Sequence, residues 1–415
     1  MRIGSDVPAG KSLVLVTILV ATWPCQGGDW PQLLGPSRNG KSDEKGLLVD
    51  WPKKGPPLLW QQDVGEGFSA PCVAGDTILL FQRTGGRELL EARDVTNGKL
   101  RWQFDYPCKY RDKLGSGDGP RATPIVDGKN VYILGVTGLL HCLDLEKGTK
   151  KWERSLDEDY ELRPSFFGVG TTPIIEDKLL IVNAGGKKAG IVALEKETGK
   201  EKWTATDDEA SYSSPVAATL DDVRHVLFFT REGLVSLDPE NGKVRLSMHW
   251  RSKIDASVNA ANPVVVGNQV FLSASYQTGG GVFAISKDKA EAVWKNDTAI
   301  SAQYLTSIYH DGYLYGFHGR HDYHETQLRC VDWKTGKVQW SDKSLTGGPM
   351  IFVDGQLIIL TEKGELVLVE ANAEKYVEKA RFQALGSPCR AQLALSNGRL
   401  FARDDKTLFC WSLKK

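Results

Sequence analysis

The sequence of 415 residues has no excess of charge of either sign, because lysine plus arginine and aspartate plus glutamate each number 52. A neutral chain lacks the field that would draw it to nucleic acid or to an acidic membrane surface. The sequence also contains no Ser-His-Asp spacing and no H-E-x-x-H helix, so no hydrolase motif is present. Nucleic-acid binding and hydrolysis are therefore not predicted.

Long apolar runs are missing from all but the N-terminus, and even there residues 12–23 are too few to span a bilayer. This run follows Arg2 and Lys11, the arrangement of an export signal. We predict that residues 1–27 are a signal peptide and that the mature protein is exported, either periplasmic or associated with the outer membrane. It should be a monomer that does not span the membrane.

Cysteine patterns typical of metal or redox sites are absent as well, since no C-x-x-C pair occurs. The six cysteines that follow Cys25 are spread over more than 300 residues, unlike those of a small disulfide-stabilised domain. Four of them fall at repeat positions, where a buried thiol acts as a small apolar side chain. Cys108 and Cys389 fall outside these positions, and the sequence leaves open whether they form a disulfide.

What the sequence does contain is a repeat. A unit of eleven residues recurs six times, and it begins with alanine, serine or cysteine and ends in most copies with tryptophan. The copies are "ARDVTNGKLRW" (92–102), "CLDLEKGTKKW" (142–152), "ALEKETGKEKW" (193–203), "SLDPENGKVRL" (236–246), "AISKDKAEAVW" (284–294) and "CVDWKTGKVQW" (330–340). Their starts lie 43 to 51 residues apart, which is the length of one four-stranded propeller blade.

Each unit is preceded by two apolar runs joined by a tight turn, as in "TPIVDGKNVYIL" (123–134), the pattern of a β-hairpin. One period is therefore four antiparallel strands. Eight periods begin near residues 70, 123, 172, 214, 262, 306, 348 and 390. The last lacks its fourth strand, and residues 58–63, "LLWQQD", resemble the fourth strand of the first.

The predicted fold is therefore an all-β, eight-bladed β-propeller of four-stranded antiparallel blades over residues 57–415. The N-terminal strand should complete the C-terminal blade and so close the ring, which removes exposed sheet edges. Residues 28–56, rich in glycine, proline and aspartate, are predicted to be an irregular lead-in.

The repeated residues are predicted to have structural roles. The small first residue of each unit should be buried in a tightly packed position. Glycine supplies a left-handed turn after the third strand, a role that we assign to Gly98, Gly199, Gly242 and Gly336. Tryptophan once per blade should pack between neighbouring sheets, a role that we assign to Trp60, Trp102, Trp152, Trp203, Trp294 and Trp340.

The unit small-x-[DE]-x-x-T-G-x-x-x-W resembles the tryptophan-docking repeat of the pyrroloquinoline quinone (PQQ)-like eight-bladed β-propeller family, over nearly all of residues 57–415. That family includes quinoprotein dehydrogenases, which use PQQ and calcium to oxidise alcohols or sugars. It also includes non-enzymatic scaffolds such as the outer-membrane protein assembly factor BamB. The alcohol dehydrogenases carry two adjacent cysteines beside the cofactor, and no two cysteines are adjacent here.

The resemblance therefore favours a non-catalytic binding or assembly scaffold at the cell envelope, with a protein partner or a small polar ligand. Its alternative implication is a quinoprotein dehydrogenase that oxidises an alcohol or polyol with PQQ and calcium. A carbohydrate-binding propeller is a third alternative. No catalytic residue is assigned, because no carboxylate could be matched to the family's calcium-ligand or catalytic-base positions.

Loops that precede the first strand of a blade should emerge together on one face, where propellers usually bind ligands. The loop at residues 106–124 is longer than a turn requires, and residues 161–173, 210–215 and 249–263 add polar side chains. The rim residues predicted to bind a ligand or partner are Tyr110, Arg111, Asp112, Ser116, Arg121, Arg163, Tyr212, Arg251 and Asn259. In the alternative interpretation, arginine–aspartate pairs of the long loop only tie blades together.

Three of the seven histidines lie in "HGRHDYH" at residues 318–324, between the second and third strands of the sixth repeat. Imidazole nitrogen is a common ligand of transition metals. His318, His321 and His324 are therefore a candidate metal site, with a carboxylate such as Asp322 or Glu325. The alternative is an exposed loop tip that binds no metal.

Overall fold

Eight antiparallel sheets follow one another along the chain and surround a common centre. The computed structural model describes residue 1, residues 28–163 and residues 166–415. Within those ranges the only α-helix is Leu156–Tyr160, so no described helix has the length needed to cross a membrane. The predicted signal peptide, residues 1–27, lies almost entirely outside these ranges and stays a prediction.

Blades 1 to 4 are each built from four consecutive strands. The strands of blades 1 and 2 are Cys72–Ala74, Thr77–Thr84, Arg87–Asp94 and Leu100–Pro107, then Ile125–Asp127, Asn130–Leu134, Leu139–Asp144 and Lys150–Ser155. Those of blades 3 and 4 are Ile174–Glu176, Leu179–Gly186, Ala189–Glu195 and Glu201–Ala205, then Val216–Leu220, Val223–Phe229, Gly233–Leu237 and Val244–His249.

Blades 5 to 8 repeat this arrangement. The strands of blades 5 and 6 are Val264–Val266, Gln269–Ala274, Gly279–Ser286 and Lys289–Asn296, then Ile308–His310, Tyr313–His318, Gln327–Asp332 and Val338–Asp342. Those of blades 7 and 8 are Met350–Val353, Gln356–Leu360, Glu365–Glu370 and Glu378–Gln383, then Ala394–Ser396, Arg399–Arg403, Thr407–Ser412 and Leu58–Asp63. Every predicted blade start lies two to four residues before the observed first strand.

The ring is closed by strands from the two ends of the propeller. Leu58–Asp63 pairs antiparallel with Thr407–Ser412, and Trp60 lies opposite Cys410. The N-terminal strand therefore supplies the fourth strand of blade 8, and the predicted fold and closure are confirmed.

First strands are the innermost strands of the ring, since those of neighbouring blades contact one another. Residues 28–42 enter this centre. Trp30 and Val73 of blade 1 exchange backbone hydrogen bonds of 2.9 and 2.8 Å. Lys41–Ser42 adds a parallel strand to the first strand of blade 7. Because Arg38 of this segment also donates to the carbonyls of Pro173 and Pro215, just before the first strands of blades 3 and 4 and across the ring from blade 7, the segment fills one end of the central channel.

Six tryptophans join neighbouring blades. Each indole Nε1–H donates a hydrogen bond of 2.7–3.1 Å to a backbone carbonyl of the following blade. The pairs are Trp60–Val95, Trp102–Leu145, Trp152–Lys196, Trp203–Pro239, Trp294–Trp333 and Trp340–Asn372. A buried indole needs an acceptor for its N–H, and the next blade supplies it. The predicted packing role of the six tryptophans is confirmed.

The repeated glycines lie under these indole rings. Gly98, Gly199, Gly242 and Gly336 have φ between +70° and +72°, the left-handed region that the predicted turn requires. A Cβ atom on Gly199 would lie 2.8 Å from the Trp152 ring, so the missing side chain also makes room for the tryptophan of the preceding blade. One glycine thus serves both the turn and the junction between blades.

Blades 4 and 5 depart from the pattern. Leu246 replaces the tryptophan in blade 4, and the blade 5 turn between Ser286 and Lys289 contains two residues and no glycine. The shorter turn places Trp294 opposite Val282. Ala284, the first residue of its unit, is half-buried and lies opposite Glu291, so the predicted buried position is wrong for this copy.

We predict that Gly199→Ala destabilises the protein more than Gly355→Ala. Both glycines have positive φ (+70° and +77°), so each alanine introduces left-handed strain of about 1–2 kcal/mol. A Cβ on Gly355 meets nothing within 4 Å, whereas one on Gly199 meets the Trp152 ring. Overpacking against the ring should lower the free energy of unfolding of Gly199→Ala by an additional ~1–3 kcal/mol. The urea midpoint should therefore fall further for Gly199→Ala than for Gly355→Ala. Equal losses would contradict the docking role of this glycine.

Candidate functional site

The segment that leads into each first strand carries two positions that face the central axis. The residue four positions before the strand lines a cavity in seven of the eight blades: Phe68, Arg121, Gly170, Tyr212, Ala260, Tyr304 and Arg390. The residue two positions before the strand lies deeper and lines the same cavity in five: Thr172, Ser214, Asn262, Thr306 and Gln392. The predicted convergence of these loops on one face is therefore observed.

The deeper positions form a chain of hydrogen bonds that we call the neck relay. In each case a backbone N–H donates to the side-chain oxygen at the same position of the next blade, at 2.8–3.2 Å. The chain runs from Ala70 to Thr123, Thr172, Ser214, Asn262 and Thr306. The relay satisfies buried amides that no sheet pairs, and it fixes six blades around the neck of the cavity.

The cavity is a cup of about 680 Å³. Leu33 and Leu34 of the N-terminal segment line its inner end, so the cup is closed on the side that this segment fills. The loops after the second strands of blades 6 and 7 add Arg320, His321 and Glu362 to its wall. Its size is typical of a site for a small ligand or a few residues of a peptide.

On one side of the cup, Arg121 is packed among aromatic rings. Its guanidinium carbon lies 5.8 Å from the centroid of Phe68, 5.7 Å from Tyr110 and 6.0 Å from Phe167. It donates to the carbonyls of Gly117 and Gly119 and lies 3.8 Å from the buried Asp112 carboxylate. Burial lowers the pKa of Arg121 from its usual value. The guanidinium is thus fixed in orientation, with aromatic faces around it.

On the opposite side, His321 connects a hydroxyl to a carboxylate. Its Nδ1 is 3.0 Å from the Tyr304 hydroxyl and 3.7 Å from Glu362 Oε2. Glu362 in turn accepts from Arg390 at 2.9–3.0 Å, and Arg390 lies 5.5 Å from the Phe68 centroid. The contact with His321 lowers the pKa of Glu362 from 4.5 to about 2, burial opposes this shift, and Arg390 adds to it. Glu362 therefore remains ionised in the cup.

Arg320 completes the wall between these two sides. Its guanidinium lies 4.6 Å from the Tyr276 ring and 4.4 Å from the exposed Tyr323 ring, and it is paired with Asp322. Gln303 donates to the Tyr276 hydroxyl at 3.1 Å. Each cup arginine is therefore accompanied by a carboxylate, and the wall has no net charge.

Five residues predicted from sequence line the cup, namely Ser116, Arg121, Tyr212, His321 and His324. Tyr110 contacts the Arg121 guanidinium without lining the cup. Asn259 supports Tyr212, because its carbonyl accepts the Tyr212 N–H at 3.1 Å while its side-chain amide donates to Thr230 and Trp250.

The other predicted rim residues lie in ion pairs or turns outside the cup. Arg111 is paired with Asp118, and Arg163 is paired with Asp207. Arg251 is paired with Glu232 and Asp255. Asp112 accepts the backbone N–H groups of Leu114 and Ser116 and so shapes the long loop. The Arg111–Asp118 pair lies within the long loop itself, so it shapes that loop and does not tie two blades together as the alternative interpretation predicted.

The predicted three-histidine metal site does not form. His318 ends the second strand of blade 6 and accepts the Ser301 N–H at 3.2 Å, His321 faces Tyr304, and His324 is exposed. Among the described residues, no three histidine, cysteine, aspartate or glutamate side chains converge to hold a metal. His318 stands at the end of a strand and contacts Ser301, in the loop between blades 5 and 6. His321 and His324 stand in the turn that follows this strand, and they do not join His318 at one point.

The six cysteines of the described ranges are free thiols, so Cys108 and Cys389 are not bridged. Both are buried, and Cys389 Sγ donates to the Gly386 carbonyl at 3.1 Å. The question that the sequence left open is answered in favour of two buried thiols.

Sequence reasoning missed half of the cup wall, including Phe68, Tyr304, Arg320, Glu362 and Arg390. The signal was available: Phe68, Tyr304 and Arg390 stand four residues before a first strand, as Arg121 and Tyr212 do. The prediction considered the loops of blades 2 to 5 and omitted the equivalent loops of the remaining blades.

Together these features define an eight-bladed propeller with a blind cup at one end of its axis. A family model described as outer membrane protein assembly factor BamB matches residues 86–342. Since this range is more than half of the chain, the protein belongs to this family of PQQ-like repeat propellers, as the tryptophan repeat predicted.

Solved structures share the fold. BamB from Moraxella catarrhalis superposes with a TM-score of 0.63 at 16% identity, over 86% of this chain and 97% of that one. Quinohemoprotein alcohol dehydrogenase ADHIIG from Pseudomonas putida HK5 superposes with a TM-score of 0.61 at 12% identity, over 93% and 80%. At these identities the likeness shows the fold alone.

Curated relatives give a similar picture. Quinohemoprotein alcohol dehydrogenase ADH-IIG from Pseudomonas putida is 29% identical over 154 residues, which are 35% of this chain and 21% of the relative. Polyvinylalcohol dehydrogenase from a Pseudomonas species is 26% identical over 320 residues, 71% of this chain and 43% of the relative. This chain thus spans less than half the length of these relatives.

The cup does not fit the calcium-bound PQQ of the dehydrogenases. Calcium takes six to eight oxygen ligands, whereas the carboxylates that line the described cup are Asp322 and Glu362, each paired with an arginine. Among the described residues, no group of three carboxylates converges in the cup to hold calcium.

We predict that Thr172→Val destabilises the protein and that Thr172→Ser does not. Valine removes the oxygen that accepts the Thr123 N–H at 3.0 Å, and a buried N–H left without an acceptor costs about 1–3 kcal/mol. Serine keeps the acceptor. Urea denaturation of the two variants measures the difference, and equal midpoints would show that the relay does not contribute to stability.

A second prediction concerns pH. Because the folded pKa of Glu362 is lowered to about 2 from 4.5, its stabilisation is complete above pH 4.5 and is lost as pH falls toward 2. The wild-type protein should therefore lose its stability advantage over Glu362→Gln between pH 5 and pH 2. Melting temperatures across this range test the prediction, with Glu374→Gln, an exposed glutamate, as control. A pH-independent difference for Glu362→Gln would contradict it.

Proposed function

We propose that the protein is a non-catalytic binding scaffold of the cell envelope, whose cup and apolar rim receive a segment of a protein partner. The observation that carries this proposal is the surface around the mouth of the cup. Leu114, Ile254 and Tyr323 come from three different loops of that face and are 60%, 40% and 62% exposed. Single exposed apolar side chains are common, but a group around one cavity is typical of a partner surface.

The fixed geometry of the cup supports the same proposal. Its arginines and carboxylates are already paired, and its side chains are held by stacked rings and by the neck relay. A preorganised site loses little conformational entropy when a partner binds. The cell-envelope location rests on the predicted signal peptide and on membership of a family named for an outer membrane assembly factor.

The dehydrogenase alternative is supported by the names of the curated relatives, and the carbohydrate alternative by the aromatic wall. The dehydrogenase alternative has no residue of this chain in a chemical role, because no group of three carboxylates converges among the described residues to hold calcium. Both alternatives are outcomes of the test below.

We expect the double variant Leu114→Ser/Tyr323→Ser to lose partner binding at least about tenfold, since two exposed apolar anchors at an interface each contribute on the order of 1 kcal/mol or more. The measurement is capture from an envelope extract by immobilised wild type and variant. The matched control is Leu100→Ser/Val244→Ser, which changes side chains of similar exposure (47% and 41%) on outer strands.

Capture that the rim variant retains and the outer-strand variant loses would place the partner on the blade edges and contradict the proposal. In parallel, PQQ with calcium should raise neither the melting temperature nor the dye-linked oxidation of alcohols. A large rise in melting temperature together with alcohol oxidation would contradict the scaffold proposal and support the dehydrogenase alternative. If the wild-type protein is retained on immobilised glycan and the rim variant is not, the result would support the carbohydrate-binding alternative.

A further inference from the structure

Two hydroxyl groups at the inner end of the cup have an unused proton. Thr172 Oγ1 and Ser214 Oγ each accept a backbone N–H through the neck relay, at 3.0 and 2.9 Å. Within the described part of the chain neither hydroxyl donates to any acceptor, although both side chains are almost completely buried (1% and 2% exposed). Both line the cup. A buried hydroxyl normally donates its proton to an acceptor. These two hydroxyls are therefore available to donate to an acceptor that enters the cup.

A buried positive charge lies directly behind these two hydroxyls. Arg38 of the N-terminal segment donates to the carbonyls of Pro173 and Pro215, the residues that follow Thr172 and Ser214. Its third partner is the Gln32 side chain at 2.9 Å. Arg38 is 6% exposed and does not line the cup, so it lies on the strand side of the neck relay.

Arg38 has no counter-ion among the described residues, since no carboxylate lies within 4 Å of its guanidinium. The acidic group that acts on it from farther away, Glu176, is paired with Arg224 at 2.6 Å. Burial accordingly lowers the pKa of Arg38 to about 9. Burying an unpaired charge is costly, and an opposite charge placed nearby reduces that cost.

The wall arginines differ from Arg38 in this respect. Arg121, Arg320 and Arg390 each have a carboxylate within 4 Å. The uncompensated positive charge of the cup is therefore at its inner end and not around its mouth. That end combines two donor hydroxyls from adjacent blades with a guanidinium that bridges the same two blades.

We propose that the inner end of the cup binds a carboxylate, which accepts hydrogen bonds from Thr172 and Ser214 and is the counter-ion of Arg38. This inference rests on the proposed binding function and names the chemistry that the cup recognises. The apolar body of the ligand lies against Leu33, Leu34 and the Tyr212 ring. Arg38 acts through its charge and is a positioning residue, since the hydroxyls separate it from the ligand.

A carboxylate of this kind comes from two sources, a small organic acid or the free C-terminus of a peptide. The probes are 4-phenylbutyrate with its amide, and the tripeptide Gly-Gly-Phe with its C-terminal amide. Calorimetry on the wild-type protein should show each bound acid at least about tenfold tighter than its amide, the factor expected for a charge-assisted hydrogen bond. Binding of the peptide acid alone identifies a C-terminus, and binding of phenylbutyrate alone identifies a small acid.

Arg38→Met should bring acid binding down to the level of the amide and leave amide binding unchanged. Arg38→Lys, which keeps the charge, should restore part of the preference. The matched control is Arg403→Met, because Arg403 is also buried (1% exposed, against 6% for Arg38) but lies outside the cup. If Arg38→Met does not fold, Ser214→Ala provides the test, since it removes one donor and should weaken acid binding alone.

Equal binding of acid and amide to the wild type, or no binding of either acid, would overturn the carboxylate site. Those results leave the rim experiment untouched, because that experiment measures capture through Leu114 and Tyr323. Conversely, acid binding without capture of any partner would overturn the scaffold and retain the carboxylate site. The failures of the two proposals are therefore distinguishable.

Discussion

The hydrogen bond from a tryptophan indole to the turn of the next blade is the constraint on which the rest of this propeller depends. It joins six of the eight junctions in one way, with the ring seated on a glycine where that turn has one, as Trp152 is on Gly199. Burial of an indole contributes several kcal/mol, far more than a surface ion pair. Because the outer parts of the blades are fixed by this repeat, the loops at the axis are free to differ.

Because the loops at the axis differ between blades, the inner end and the wall of the cup have different side chains. Two residues before the first strands of blades 2 to 6, small polar side chains form the neck relay, a structural feature that repeats. Four residues before it, the side chain ranges from Gly170 to Arg121 and Tyr304, and this variation gives the wall its chemistry. The N-terminal segment then closes one end and brings Arg38 behind the relay.

The sequence was sufficient to predict the fold. The repeat length indicates the blades, glycines such as Gly199 indicate the turn after the third strand, and the strand that contains Trp60 indicates how the ring closes. It was only partly sufficient for the site. Arg121 and Tyr212 stand in loops that looked unusual, whereas the position of Arg390 at the cup appears only once the start of the first strand of blade 8 is known to the residue. Arg38 belongs to a segment without periodicity, so its position behind the cup could not be read from any pattern.

The central claim is that the protein acts through the cup face and not through its blade edges. Photo-crosslinking in intact cells tests this most directly, with a photoreactive residue at Ala260, which lines the cup, or at Val293, which is 41% exposed on an outer strand. The account predicts a discrete partner adduct from position 260 and none from position 293. An adduct from position 293 alone would contradict it.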